Sequence, residues 1–145
     1  MRKRTQGRDF ALKILYQADI TRREIPLTAE MFWKSEEVTD ADEEVKEFAK
    51  RLVFGVANQF HEIDAKISKH ATNWQLKRMA LIDRNILRLG VFELLFAPDI
   101  PPKVSINEAV ELAKKYGDLD SSKFVNGILD KIHKTDRVVQ GPIRE

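Results

Sequence analysis

The sequence predicts an all-α fold of six or seven helices. Apolar residues recur at three- and four-residue spacing along nearly all of the chain, and no stretch alternates apolar and polar residues as a half-buried strand does. One segment, Leu76 to Phe96, is apolar on almost every side, so it belongs in the middle of the protein. At 145 residues the chain reads as one domain, long enough to remove roughly 68–70% of its unfolded surface from water.

The first helix is predicted from about Thr5 to Thr21, with Phe10, Ile14 and Ala18 on one line and Ala11 and Leu15 beside it. A loop holding Pro26 follows, then a short helix from Thr28, its expected cap, to Lys34. Asp40 begins a long helical tract whose stripe is Val45, Phe48, Ala49, Leu52, Val53 and Val56, continued by Phe60, Ile63 and Ile67. Gly55 or the segment near Asn58 is where it should break or bend. In the central segment Glu93 lies on the line of Ile86, which predicts a buried and hydrogen-bonded carboxylate, since an unpaired one is costly. Arg84 and Arg88 are one turn apart on another line, with Asp83 beside them.

Pro98, Pro101 and Pro102 end that helix. Ser105 followed by Glu108 reads as a capping box opening the next one, with Ile106, Ala109, Val110 and Ala113 as its apolar face and Gly117 placed to end it in the left-handed conformation. Asp120 or Ser121 then caps a last helix striped by Val125, Ile128, Leu129 and Ile132. Asn126 and Gly127 stand in mid-helix against local propensity, which points to a packing role: glycine admits a close neighbour and asparagine bonds backbone at the junction. Residues 136–145 read as a flexible tail.

Composition excludes several classes of protein. There is no cysteine, so disulfides, thiolate metal sites and thiol nucleophiles are out, and a reducing, cytoplasmic setting is the default expectation. No run approaches the ~20 apolar residues of a membrane span. The net charge of +2 hides a segregation: Arg2, Lys3, Arg4 and Arg8 crowd the N-terminus, while Glu36, Glu37, Asp40, Asp42, Glu43, Glu44 and Glu47 crowd one central stretch. The basic pole suits a polyanion, and the acidic pole is expected to lie away from it.

Cations at a helix N-terminus oppose the macrodipole, so the Arg2, Lys3, Arg4 and Arg8 cluster weakens the helix it precedes and points to an anionic ligand. Tyr16, two turns beyond Arg8, is a candidate to stack on an exposed base, and Lys123 with Phe124 poses the same choice at the start of the last helix. Against each stands a plain alternative: a solvated basic tail, a half-buried tyrosine, a phenylalanine that widens the core. Catalytic patterns are poor. His61-Glu62 lacks a second histidine at residue 65, His70 and His133 fall at no ligand spacing, and the glycines form no phosphate-cradling loop. The expectation is a protein that is not an enzyme and uses no cofactor or metal.

The ordered set Arg4, Arg8, Ala11, Leu15-Tyr16, then Trp74 and Asp83-Arg84-Asn85-Ile86-Leu87-Arg88 to Glu93-Leu94-Leu95, then Ile106-Asn107-Glu108-Ala109 and Phe124-Val125-Asn126-Gly127 resembles the NusB family of transcription antitermination factors. The resemblance covers nearly the whole chain. It implies two small helical bundles packed around a long central helix. It also implies binding of boxA, a short single-stranded RNA element of nascent transcripts such as ribosomal RNA leaders, jointly with NusE, a small-subunit ribosomal protein, in assemblies with other Nus factors and RNA polymerase. On that basis Arg2, Lys3, Arg4, Arg8, Tyr16, Lys123 and Phe124 are expected to face RNA, and Asp83, Arg84 and Asp120 the protein partner. Relatives often carry a denser arginine run than Arg4-Thr5-Gln6-Gly7-Arg8, which puts more weight on the partner. Two other readings stand beside it. One is the RNA-binding front end of a ribosomal RNA cytosine methyltransferase, for which these residues hold no methyl-donor glycine motif. The other is a helical protein-protein module with a homodimer face on its central helix.

Overall fold

The computed structural model describes residues 2–35, 40–72 and 75–137. Among them are seven α-helices and no strand: α1 (Lys3–Thr21), α2 (Ile25–Trp33), α3 (Glu43–Asn58), α4 (Phe60–His70), α5 (Leu81–Phe96), α6 (Pro102–Tyr116) and α7 (Ser121–Ile132). Helices α1, α2 and α3 pack on one another, α4, α6 and α7 gather on the other side, and α5 runs between, touching α1, α3, α4, α6 and α7. Eleven consecutive residues of α5, Asn85 to Leu95, are buried. That is the all-round apolar helix of the sequence, and it makes one continuous core from Ile14 and Leu52 to Leu129 and Ile132.

Close approach of helices depends on glycine, most tightly at two contacts of α5. A Cβ on Gly55 would meet the Phe92 ring at 2.2 Å, and one on Gly90 would meet Leu129 at 2.7 Å. The break in the long tract falls at Gln59, where the backbone leaves the helical region between α3 and α4 (φ −111°, ψ 23°). Gly55 is therefore a packing residue rather than the bend. On the outer side, Phe10, Phe32 and Trp33 meet edge to face with centroids 5.1–5.8 Å apart and fasten α2 to α1.

Several predicted boundaries shift. Thr28 does not cap α2: Pro26 lies in the first turn, Glu24 is the N-cap residue, and the Thr28 hydroxyl donates back to the Glu24 carbonyl at 2.9 Å. Ser105 and Glu108 form no capping box, because α6 starts earlier, at Pro102, and both side chains are used elsewhere. Gly117 ends α6 in an extended conformation (φ −92°, ψ −172°) rather than a left-handed one, and glycine is needed because a Cβ would meet Ser121 at 2.4 Å. Asp120 is the N-cap position of α7 without a side-chain hydrogen bond, and Asp118 organises that turn, accepting from the Asp120 N–H at 3.1 Å. Gly127 has open space around it and Asn126 is exposed, so the packing role expected of the pair does not hold.

The start of the expected tail is ordered: His133–Arg137 forms a π-turn that buries Asp136 against His70 Nε2 at 2.8 Å, beside Lys66 and Lys69. Burial works to raise the Asp136 carboxyl, but the His70 hydrogen bond and the lysine charges outweigh it and hold it below the ordinary value. Glu36, Glu37, Trp74 and residues 138–145 lie outside the described residues.

Candidate nucleic-acid and partner interface

The N-terminal cations divide by burial. Arg8 is 3% exposed and its guanidinium donates from Nε and Nη2 to the two oxygens of Glu93, itself 2% exposed, at 2.8 and 2.9 Å. Ser105 completes the site by donating its hydroxyl to Glu93 at 2.7 Å. Glu108 lies 3.7 Å from Arg8 Nη1 and accepts from the Thr5 hydroxyl at 3.0 Å. The buried partner predicted for Glu93 thus exists, and it removes Arg8 from the RNA-facing set. A guanidinium this deeply buried and spent on an internal carboxylate is out of reach of a phosphate.

Arg2, Lys3 and Arg4 are exposed. Arg4 stacks 4.6 Å over the Phe48 ring and lies 4.0 Å from Asp99, while Lys3 pairs with Glu44 and, at 3.6 Å, with Asp42. The acidic start of α3 therefore sits against the basic N-terminus rather than on an opposite pole. Its own role is capping, with the Asp42 carboxylate accepting from the Glu44 N–H at 2.8 Å.

Of the remaining predicted residues, all but Arg84 come together about 18 Å further along α1, by the helical rise between Arg4 and Tyr16. Tyr16 lines a groove of about 300 Å³ with Leu81, Asp83, Tyr116 and Asp118. A second hollow of about 200 Å³, lined by Met79, Asp83, Asp118, Asp120 and Phe124, shares the Asp83 and Asp118 wall. Tyr16, Phe124, Asp83 and Asp120 therefore occupy one concave surface, with Lys123 exposed beside it. Burial raises the Asp83 carboxyl, and the neighbouring charge of Asp118 adds to it, against a lowering contribution from Ser121. One Asp83 oxygen is buried without a hydrogen-bond partner among the described residues. Leu119, 97% exposed, stands between Asp118 and Asp120 at the rim.

Arg84 behaves differently from its neighbour Asp83. Its guanidinium donates to both oxygens of Asp19 at 2.6 and 2.8 Å and to the Leu76 carbonyl at 3.3 Å, so it is an internal strut between α1 and α5 rather than an open partner-facing group. Arg88 and Asn85 converge on the same Asp19, and Arg88 also holds Asp64. Burial works to raise Asp19, and these hydrogen bonds and charges override it, leaving its carboxyl below the ordinary value.

One feature escaped the sequence. Tyr116 is oriented in the groove by donating its hydroxyl to Asp9 at 2.6 Å, which Lys115 also meets at 3.1 Å; the aromatic was visible but its long-range partner was not. Asn126 and Gly127, singled out in the sequence by their poor helix propensity, lie exposed one turn beyond Lys123. Among the described residues no group of histidines and acids is spaced to hold a metal ion, and no helix is long and apolar enough to cross a membrane.

The profile of the NusB family matches residues 5–134. The transcription antitermination protein NusB of Myxococcus xanthus is 49% identical over 133 residues, covering 91% of this chain and 95% of the relative. That of Geobacter sp. strain M21 is 45% identical, covering 93% and 97%. Among solved structures, T. maritima NusB superposes with a TM-score of 0.81 at 39% identity, covering 93% and 92%. A chain from a crystal structure of the antitermination factors NusB and NusE in complex with dsRNA superposes with a TM-score of 0.82 at 36% identity, covering 92% and 98%. With the profile and these relatives spanning nine-tenths of its length, the chain belongs to the NusB family.

Proposed function

We propose that this protein is a transcription antitermination adaptor that binds boxA single-stranded RNA in nascent ribosomal transcripts together with NusE. The observation that carries this reading is the concave surface on which Tyr16 and Phe124 flank a cluster of acids, with Lys123 exposed next to Phe124. Two rings offer faces to splayed bases, each stacking contact contributing ~1–3 kcal/mol, and the cations Arg2, Lys3, Arg4 and Lys123 hold phosphates. Asp83, Asp118 and Asp120 repel phosphate, so their concave patch, with Leu119 at its rim, suits a basic protein partner. Asp83 and Asp120 therefore face NusE in this reading, and Asn126 and Gly127 leave α7 open to the strand next to Lys123.

A solution with few phosphate contacts has modest affinity alone, and a second protein that extends the surface raises it by sharing the cost of ordering the RNA. The complex then joins other Nus factors on RNA polymerase in the cytoplasm. No step of this role is chemical: the protein positions RNA and partner and turns nothing over.

Fluorescence anisotropy of labelled boxA RNA, titrated with the protein alone and with equimolar NusE at two salt concentrations, tests the proposal. NusE should tighten binding, and log affinity should fall with log salt by about 0.7 per phosphate contacted. Absence of RNA binding under both conditions would favour the pure protein-protein module.

A further inference from the structure

The seam between α1 and α6 fills the interval from the N-terminal cations to the Tyr16 groove. Arg2 at the N-cap, then Asp9, Lys13 and Tyr16, spaced by seven, four and three residues, lie along one side of α1. That side meets α6. The Thr5 hydroxyl donates to Glu108 at 3.0 Å and the Tyr116 hydroxyl donates to Asp9 at 2.6 Å, so the two helices run side by side in the same direction. Asp9 stands ~7.5 Å past Arg4 and ~10.5 Å before Tyr16 by helical rise, between the two parts of the RNA surface proposed above.

The charge that this stretch presents is positive. Asp9 accepts from Lys115 Nζ at 3.1 Å and lies 3.3 Å from Lys13 Nζ, so two ammonium groups converge on one carboxylate and leave one unit of positive charge. The two lysine side chains are 47% and 49% exposed, whereas that of Asp9 is 14% exposed, so it is the cations that face solvent. The acids of the same stretch of α6 are matched elsewhere: Glu108 by Thr5 and Arg8, and Glu111 by Lys114 at 3.5 Å. Tyr116 joins this charge to the groove. It packs against the core and lines the groove with Tyr16, its hydroxyl is anchored on Asp9, and Lys115 Nζ lies 5.1 Å from its ring centroid. A ring held in place loses little side-chain freedom when a base stacks on it.

We propose that the α1–α6 seam binds one nucleotide of the single-stranded RNA, with Tyr116 stacked on its base and Lys13 and Lys115 together holding its phosphate. The inference rests on the RNA-binding reading and deepens it, tracing the strand from Arg2 along α1 into the Tyr16 groove. A cation beside an aromatic ring matches a nucleotide, phosphate to one and base to the other. The sign of the charge separates RNA from the protein partner. Lys13 and Lys115 at the seam attract phosphate and repel a basic protein, while Asp83 and Asp118 within the groove do the reverse.

Anisotropy of labelled boxA RNA with saturating NusE compares wild type with K13Q/K115Q, Tyr116→Phe and Tyr116→Leu, while calorimetry without RNA measures NusE binding to each. Both lysines are exposed, so the double variant keeps the wild-type fold. It should bind RNA about tenfold more weakly, with the salt slope reduced by about 0.7 for one lost phosphate. Tyr116→Phe keeps the ring and should stay within about twofold of wild type, whereas Tyr116→Leu should lose about fivefold or more with the slope unchanged. NusE binding should be unaltered in all three. If wild type binds boxA RNA and K13Q/K115Q matches it in affinity and slope, this inference falls alone. A folded Tyr116→Leu protein that binds RNA as wild type does overturns the stacking role. If K13Q/K115Q instead loses NusE, the seam belongs to the protein partner and the RNA assignment is overturned. If wild type binds no boxA RNA, the underlying reading falls and takes this inference with it.

Discussion

Replacing Arg8 by methionine separates a structural arginine from an RNA-binding one. Methionine keeps much of the side-chain volume but strips Glu93 of both charged hydrogen bonds, leaving a carboxylate 2% exposed with the Ser105 hydroxyl as its close donor. Breaking a buried ion pair by removing one partner costs about 3–5 kcal/mol, a large part of the about 5–15 kcal/mol that holds a domain folded. For a chain of this length that is a fall in Tm of about 10–15 °C. A double variant, R8M with Glu93→Leu, removes both charges and should recover most of the loss. The assay is thermal unfolding of the wild type, both single variants and the double, with RNA anisotropy measured well below the lowest Tm. Affinity for RNA should stay within about twofold of wild type in every folded variant. A R8M protein with unchanged Tm and sharply weakened RNA binding would refute the placement of Arg8 as a core residue.

Three further outcomes follow from the same structure. Because the folded pKa of Asp19 lies below its ordinary 3.8, the folded state binds fewer protons there than the unfolded one; its contribution is present above about pH 4 and is lost as the pH falls through the folded value. Asp19→Asn should lose about 1–3 kcal/mol at neutral pH, where Arg84 and Arg88 lose their shared acceptor, and show a flatter acid limb in pH-dependent denaturation. Gly55→Ala drives a Cβ to 2.2 Å from the Phe92 ring and should cost about 1–3 kcal/mol by denaturant unfolding, despite alanine's better helix propensity, with RNA binding intact. Tyr16→Ala should weaken RNA by about 1–3 kcal/mol in anisotropy with a smaller change in Tm, since the ring is only half-buried.

What the sequence revealed depended on the range of the interaction. The helix set and the central position of α5 were legible because hydrophobic periodicity reports burial directly, and the buried, bonded state of Glu93 followed from its place on the Ile86 line. Its partner was not legible: Arg8 is 85 residues away, and a cation near a basic N-terminus looks like part of an exposed cluster until the fold places it. The same cause undid the capping box. Ser105 and Glu108 have the right spacing, but tertiary partners from α5 and α1 claimed both side chains, and Pro102 supplied an earlier helix start. Of the site, Tyr16, Phe124, Asp83 and Asp120 were brought to one surface, whereas the N-terminal cations lie at the far end of α1, and Arg84 faces inward. Charge type was readable from the sequence; the direction of each side chain was not.

The most direct test of where RNA lies is photo-crosslinking of boxA RNA carrying 4-thiouridine at each uridine in turn, in complex with this protein and NusE, with adducts mapped by mass spectrometry. The account predicts adducts at Tyr16 and Phe124, on the surface bounded by Lys123 and Asp83, and none at Arg8. Adducts confined to the exposed faces of α2 or α3, with Tyr16 and Phe124 unmodified, would contradict it.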